Sequence, residues 1–103
     1  MMKTLDEVQR QLLAGEFDFS DHAFLRAVER NIGDSEIIEA GNRVFSVEEY
    51  EDARYGPSAL VLGFTLVGRP LHLLVSLSDT RLLRIITLYE PDPGQWEDFI
   101  RRR

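Results

Sequence analysis

Leu5, Val8, Leu12 and Leu13 recur at helical spacing directly behind Thr4-Leu5-Asp6-Glu7, a capping box in which Thr4 is the N-cap. Gly15 supplies a stop, so the pattern predicts a first helix over about 5–14. Glu16-Phe17-Asp18-Phe19-Ser20 alternates polar and aromatic side chains, which suits a short strand or an extended lead-in equally. A second helix is expected from Ser20 or Asp21 to about Arg30, with Phe24, Ala27 and Val28 inward and Asn31 and Gly33 closing it. Asp34 caps a third, from Ser35 to about Ala40, ended by Gly41. Val44, Phe45 and Val47 begin the sheet within 42–50. Acidic residues 48–52 and then 53–58 read as an exposed connection with a Gly56-Pro57 turn.

The most strongly patterned stretch is 59–89. Three strand-like runs, Ala59–Val67, Leu71–Ser78 and Arg81–Tyr89, are separated by Gly68-Arg69 and Asp79-Thr80, which predicts an antiparallel meander joined by two-residue turns. Those turns set Thr65 opposite His72 and His72 opposite Thr87, with Tyr89 diagonal to the imidazole. One face then holds Leu60, Leu62, Phe64 and Leu66 with Leu71, Leu73, Val75 and Leu77, and with Leu82, Ile86 and Leu88. Only Arg84 interrupts it, so it is the expected core. The other face carries a row of Thr65, His72 and Thr87. Pro91 and Pro93 end the third strand, and Gln95–Arg103 is expected to form a short C-terminal helix with Trp96, Phe99 and Ile100 inward. The fold class is α+β: N-terminal helices packed on an antiparallel three- to four-stranded meander.

Composition narrows the chemistry. At 103 residues with 44% hydrophobic content there is room for one core. The chain has no cysteine, which removes disulfides, thiolate metal sites and cysteine nucleophiles and suits a reducing compartment. No signal-peptide pattern opens it, and Ala59–Val67 is too short to span a bilayer as a helix. A cytoplasmic protein with no membrane partner is the expectation. The net charge is −6, and 1–58 carry six Lys/Arg against thirteen Asp/Glu, a balance that argues against general binding to a phosphate backbone. The Arg101-Arg102-Arg103 run reads as a solvated end.

Two histidines are the candidate chemistry. His22 shares a helical face with Arg26 and Arg30, and His72 lies on the central strand of the meander. An imidazole can act as general acid or base and a guanidinium can hold a phosphate, the minimum for phosphodiester chemistry. The same residues equally describe a solvated helix face and a sheet histidine bonded to Thr65 or Thr87. Tyr89 suits packing at a strand end, and Trp96 suits the core. Clustered metal ligands, phosphate loops and serine-nucleophile elbows are absent from the sequence, so no metal or cofactor is expected.

Phe19-Ser20-Asp21-His22-Ala23 with Arg26 and Arg30, Tyr50, Tyr55-Gly56-Pro57-Ser58, Leu62-Gly63, Gly68-Arg69-Pro70-Leu71-His72, Ile86-Thr87-Leu88-Tyr89-Glu90-Pro91-Asp92-Pro93 and Trp96 together resemble domain-of-unknown-function family 4258. The resemblance covers 17–103, leaving 1–16 as a helical N-terminal extension. It implies a compact fold similar to RelE/ParE-type toxins, members often encoded beside zinc-ribbon antitoxin-like proteins, and hence a toxin–antitoxin setting. By that analogy the chain acts on RNA as a metal-independent endoribonuclease, with His72, His22 and Tyr89 catalytic and Arg26, Arg30, Thr65, Thr87 and Arg69 on the substrate. Such toxins are generally basic and this chain is acidic. The alternative is a non-catalytic protein-interaction module or degenerate toxin. An antitoxin-like protein, RNA and a second copy of the chain are the candidate partners.

Overall fold

A computed structural model of the protein describes residues 1–51 and 56–103. In chain order the elements are α1 (Leu5–Ala14), β1 (Phe17–Phe19), α2 (Asp21–Glu29), α3 (Asp34–Ala40), β2 (Phe45–Tyr50), β3 (Ser58–Phe64), β4 (Pro70–Ser76), β5 (Leu83–Tyr89), β6 (Trp96–Glu97) and β7 (Arg101–Arg102). The α+β expectation stands, with a difference in the sheet. It is five-stranded and mixed, in the order β1-β5-β4-β3-β2, with β1 parallel to β5 and the other pairs antiparallel. Phe17-Asp18-Phe19, left open between strand and lead-in, is therefore an edge strand. The connection expected over 48–58 is shorter, since Glu48, Glu49 and Tyr50 complete β2 and Ser58 opens β3; its residues 52–55, Tyr55 among them, lie outside the described residues.

The N-terminal helices form for the reasons their caps give. Thr4 accepts from the Glu7 N–H and Glu7 reaches back to the Thr4 N–H, while Gly15 closes α1 with φ 73°, a left-handed turn that glycine makes without a Cβ clash. Val8 and Leu12 enter the same core as the rest of the chain, so α1 is integrated into the fold. Lys3 is buried beneath it, its ammonium donating to Gln11 Oε1 (2.7 Å) and the Thr80 carbonyl (2.6 Å). Ser20 caps α2 by accepting from the Ala23 N–H, and Asn31 leaves it with φ 53°. The expected inward set on α2 needs correction. Ala23 and Ala27 face the sheet, whereas Phe24 and Val28 are 57% and 65% exposed. The small alanine face lets α2 lie close to β5, and the large apolar residues are left outside.

The register of the meander also differs. Its first turn is the three-residue loop Leu66-Val67-Gly68: Gly68, at φ 86°, donates to the Thr65 carbonyl (2.9 Å) and the Thr65 N–H donates to the Arg69 carbonyl (3.0 Å). Leu66 and Val67, which look like strand, sit exposed at the tip. Leu62 therefore pairs with His72, and β3 is turned over relative to β4. Residues 58–63 are buried on both sides, so their apolar pattern alone could not fix which side meets the helices. Size fixes it. Ala59, Val61 and Gly63 face the helices, and α3 approaches so closely that a Cβ on Gly63 would lie 2.5 Å from the Ala40 carbonyl oxygen.

A bulge at Ile86 completes the sorting. Leu74 pairs with Thr87 and Val75 with Ile85, so Leu83, Ile85 and Leu88 share the helix side with Leu71, Leu73 and Val75. Each of these enclosed aliphatic side chains contributes about 2 kcal/mol relative to exposure. Leu82 and Ile86, expected in the main core, are half-buried instead. The expected C-terminal helix is absent: Asp98 and Phe99 both take positive φ (53° and 63°), reversing the chain into the β6–β7 hairpin. No helix among the described residues is long and apolar enough to cross a membrane.

Because the Gly63–Ala40 approach is backbone against backbone, Gly63→Ala should lower stability by about 2 kcal/mol in urea titration, through overpacking. Gly33→Ala, where a Cβ meets nothing within 4 Å, serves as the control.

Candidate functional site

His72 is placed by the centre of β4 on the sheet face away from the helices and is fully enclosed at 0% exposure. The C-terminal hairpin closes over it. Trp96 packs edge-on against the imidazole at 4.6 Å between ring centres, and Tyr89, its direct neighbour on β5, at 5.2 Å. The Phe99 carbonyl lies 2.5 Å from Nε2 and can only accept, so Nε2 carries the proton. Nδ1 is then the acceptor for the Tyr89 hydroxyl at 3.1 Å. Burial pushes the imidazole pKa down and the Tyr89 pKa up, so both groups are held neutral. Phe99 sustains an uncommon backbone geometry for a bulky residue, stabilised by its carbonyl bond to His72 and by its ring against Phe64 (6.2 Å).

The rim of this cap is ionic. Arg102 donates to both Glu48 oxygens at 2.8 and 3.0 Å and lies 4.7 Å over the Trp96 ring. Hydrogen bonds from Arg102 and Tyr50 hold the Glu48 pKa down at about 2. Arg102 is thus an anchor that pins β7 to β2, where the sequence suggested a solvated tail.

The expected row of Thr65, His72 and Thr87 does not form. Thr65 is buried at the hairpin turn, its hydroxyl accepting from the Arg69 N–H (3.0 Å). Thr87 shares the His72 face but pairs with Leu74. Arg69 is engaged internally: it donates to Glu90 (2.8 Å), Glu36 (3.0 Å), and the carbonyls of Arg30 and Asn31 (both 2.9 Å). It clamps the hairpin to the α2–α3 corner, and the two carboxylates push its pKa up. Arg30 donates to the Leu88 carbonyl (2.7 Å), and Arg26 pairs with Glu29 (2.8 Å).

His22 alone of the expected catalytic set is exposed, and it takes no part in the hydrogen bond and ring contact that join His72 to Tyr89. It opens on a groove of about 650 Å³ lined by Ser20, Ser76, Arg84 and Ile86, on the part of the sheet the C-terminal hairpin leaves uncovered. Arg84, the one interruption of the expected core face, is exposed instead and donates to both oxygens of Asp18 (2.7 and 3.2 Å) at the wall of this groove. Among the described residues no group of three or more His, Asp or Glu is placed to hold a metal ion. A second groove, also about 650 Å³, runs between β1 and α2 past Phe17, Phe19, Phe24 and Leu25. Sequence patterning hides this groove because Phe24 fits a core position on α2.

The site and fold define a small α+β domain whose mixed sheet carries helices on one face and a C-terminal hairpin over half of the other. Residues 19–90 match the family described as a domain of unknown function (DUF4258), and the chain belongs to that family. No curated protein and no solved structure matches the chain. Within the matched residues, Gly68-Arg69-Pro70-Leu71-His72 and Tyr89-Glu90 supply the clamp and the enclosed imidazole with its tyrosine partner.

His72→Ala should cost about 3 kcal/mol in urea titration, since it opens a cavity and orphans the Tyr89 hydroxyl and the Phe99 carbonyl. The depressed imidazole pKa sets a pH dependence. The unfolded chain binds the extra proton first, so stability is full above about pH 6.5 and falls as pH drops below it. In His72→Gln that segment of the stability–pH curve should flatten, while the loss below about pH 4.5 that Glu48 causes should persist.

Proposed function

We propose that this chain is a non-catalytic protein-interaction module, a toxin-like domain of RelE-type fold that has kept the scaffold for binding. The observation that carries the reading is the apolar cluster on α2, where Phe24, Leu25 and Val28 are 57%, 59% and 65% exposed side by side beside the edge strand. Contiguous exposed apolar surface of this kind marks a binding face. The enclosure of His72 and the internal engagement of Arg69 support it, since a general acid or base must reach the proton it moves. The acidic balance supports it further. The partner class is an antitoxin-like protein in the cytoplasm.

A second reading rests on His22. Its imidazole faces an open groove beside Ser20, Ser76 and Arg84, a set able to meet a phosphodiester. In that reading the chain is an endoribonuclease without His72.

Expression in bacteria tests the two together. The module reading expects no growth defect, intact RNA with the purified chain, and co-purification with the product of the adjacent gene that Phe24→Ser/Val28→Ser abolishes. RNA cleavage that disappears in His22→Ala would replace it with the second reading.

A further inference from the structure

We infer that the groove between β1 and α2 accepts an extended, apolar segment of a partner protein flanked by Lys or Arg, which adds to the sheet as a sixth strand. The inference rests on the module reading and deepens it. Three observations converge on the groove.

The first is the strand edge. The Glu16 carbonyl accepts from Leu83 and the Ser20 N–H donates to the Ile85 carbonyl, so in the parallel ladder 16, 18 and 20 turn toward β5. The N–H and C=O groups of Phe17 and Phe19 then point away from the sheet. Such a row is a template for another strand. The opposite edge is unlike it: β2 carries a bulge between Ser46 and Glu48, and Glu48 is taken by Arg102. Bulges and charges are what natural edges use to refuse a partner.

The second is the wall. Phe17 and Phe19 stack edge-on at 5.8 Å, and Phe19 meets Phe24 at 6.5 Å, forming one aromatic run from the edge strand to the exposed face of α2. Side chains of an added strand alternate, so every second residue would enter this run.

The third is charge. The groove and its continuation along α2 are lined by Asp18, Asp21 and Asp34, with no Lys or Arg among the lining residues. Asp18 is held by Arg84; Asp21 and Asp34 are exposed. An incoming segment with basic flanks is attracted, and a second copy of this chain would bring acid against acid.

The experiment uses the full chain and the probe peptide Lys-Lys-Val-Thr-Phe-Thr-Val-Thr-Lys-Lys, with binding read by fluorescence polarisation and backbone amide shifts. Binding should move the amides of Phe17 and Phe19. It should weaken at least tenfold with glutamate flanks, with N-methylation of alternate peptide residues, and in Phe24→Ser/Val28→Ser. Equal binding of both flank versions, indifference to N-methylation, shifts at β2 or at a self-association interface, or no binding at all would each overturn the strand addition. Co-purification of the adjacent gene's product that still depends on Phe24 and Val28 would, in those cases, leave the module reading standing.

Discussion

A single imidazole with no access to water sets the plan of this protein. Both nitrogens of His72 must find partners inside the fold, because a buried polar group left unpaired costs about 1–3 kcal/mol. A hydroxyl from the neighbouring strand answers one, and a carbonyl from the C-terminal hairpin answers the other. Satisfying the ring therefore requires the chain's last residues to return across the sheet. The aromatic lid of Trp96, the strained turn at Phe99 and the ionic tie between Arg102 and Glu48 all follow from that return.

The lid divides the sheet into three territories. The helix side is a continuous aliphatic core. On the other side the lid occupies the β2–β4 half, and the β5–β1 half stays open with His22 and Arg84 at its border. The open grooves are thereby displaced from the centre of the sheet to the end where β1 and α2 meet. The residues that look reactive in the sequence are mostly those that hold this arrangement together.

The local elements were legible because their signals are local. The capping box at Thr4, the serine cap of α2 and the glycine stop after α3 each depend on a few neighbouring residues. The three N-terminal helices fall within a residue or so of expectation, α3 starting at Asp34 behind a Gly33 N-cap where the pattern places Asp34 as the cap. Face assignments depend on distant partners and were less legible. Leu66 and Val67 match a strand in composition, and nothing within the hairpin reveals that they cap it. Residues 60 and 62 are as apolar as 59 and 61, so hydrophobicity could not decide the side; the small volumes of Ala59 and Gly63 were the available clue. The reversal at Asp98-Phe99 has no glycine to announce it. Of the candidate site, the proximity of His72 and Tyr89 was readable as a neighbourhood, but its enclosure was not, because the lid is a long-range event.

The way α2 is fastened has an evolutionary consequence. Ser20 holds one end to the Ile86 carbonyl, Arg30 and Arg69 hold the other, and two alanines form the seat between them. None of these attachments passes through Phe24, Leu25 or Val28. The outward positions can thus be rewritten one by one without loosening these attachments, and a lineage built on this scaffold can change the surface it presents there while its interior stays unchanged.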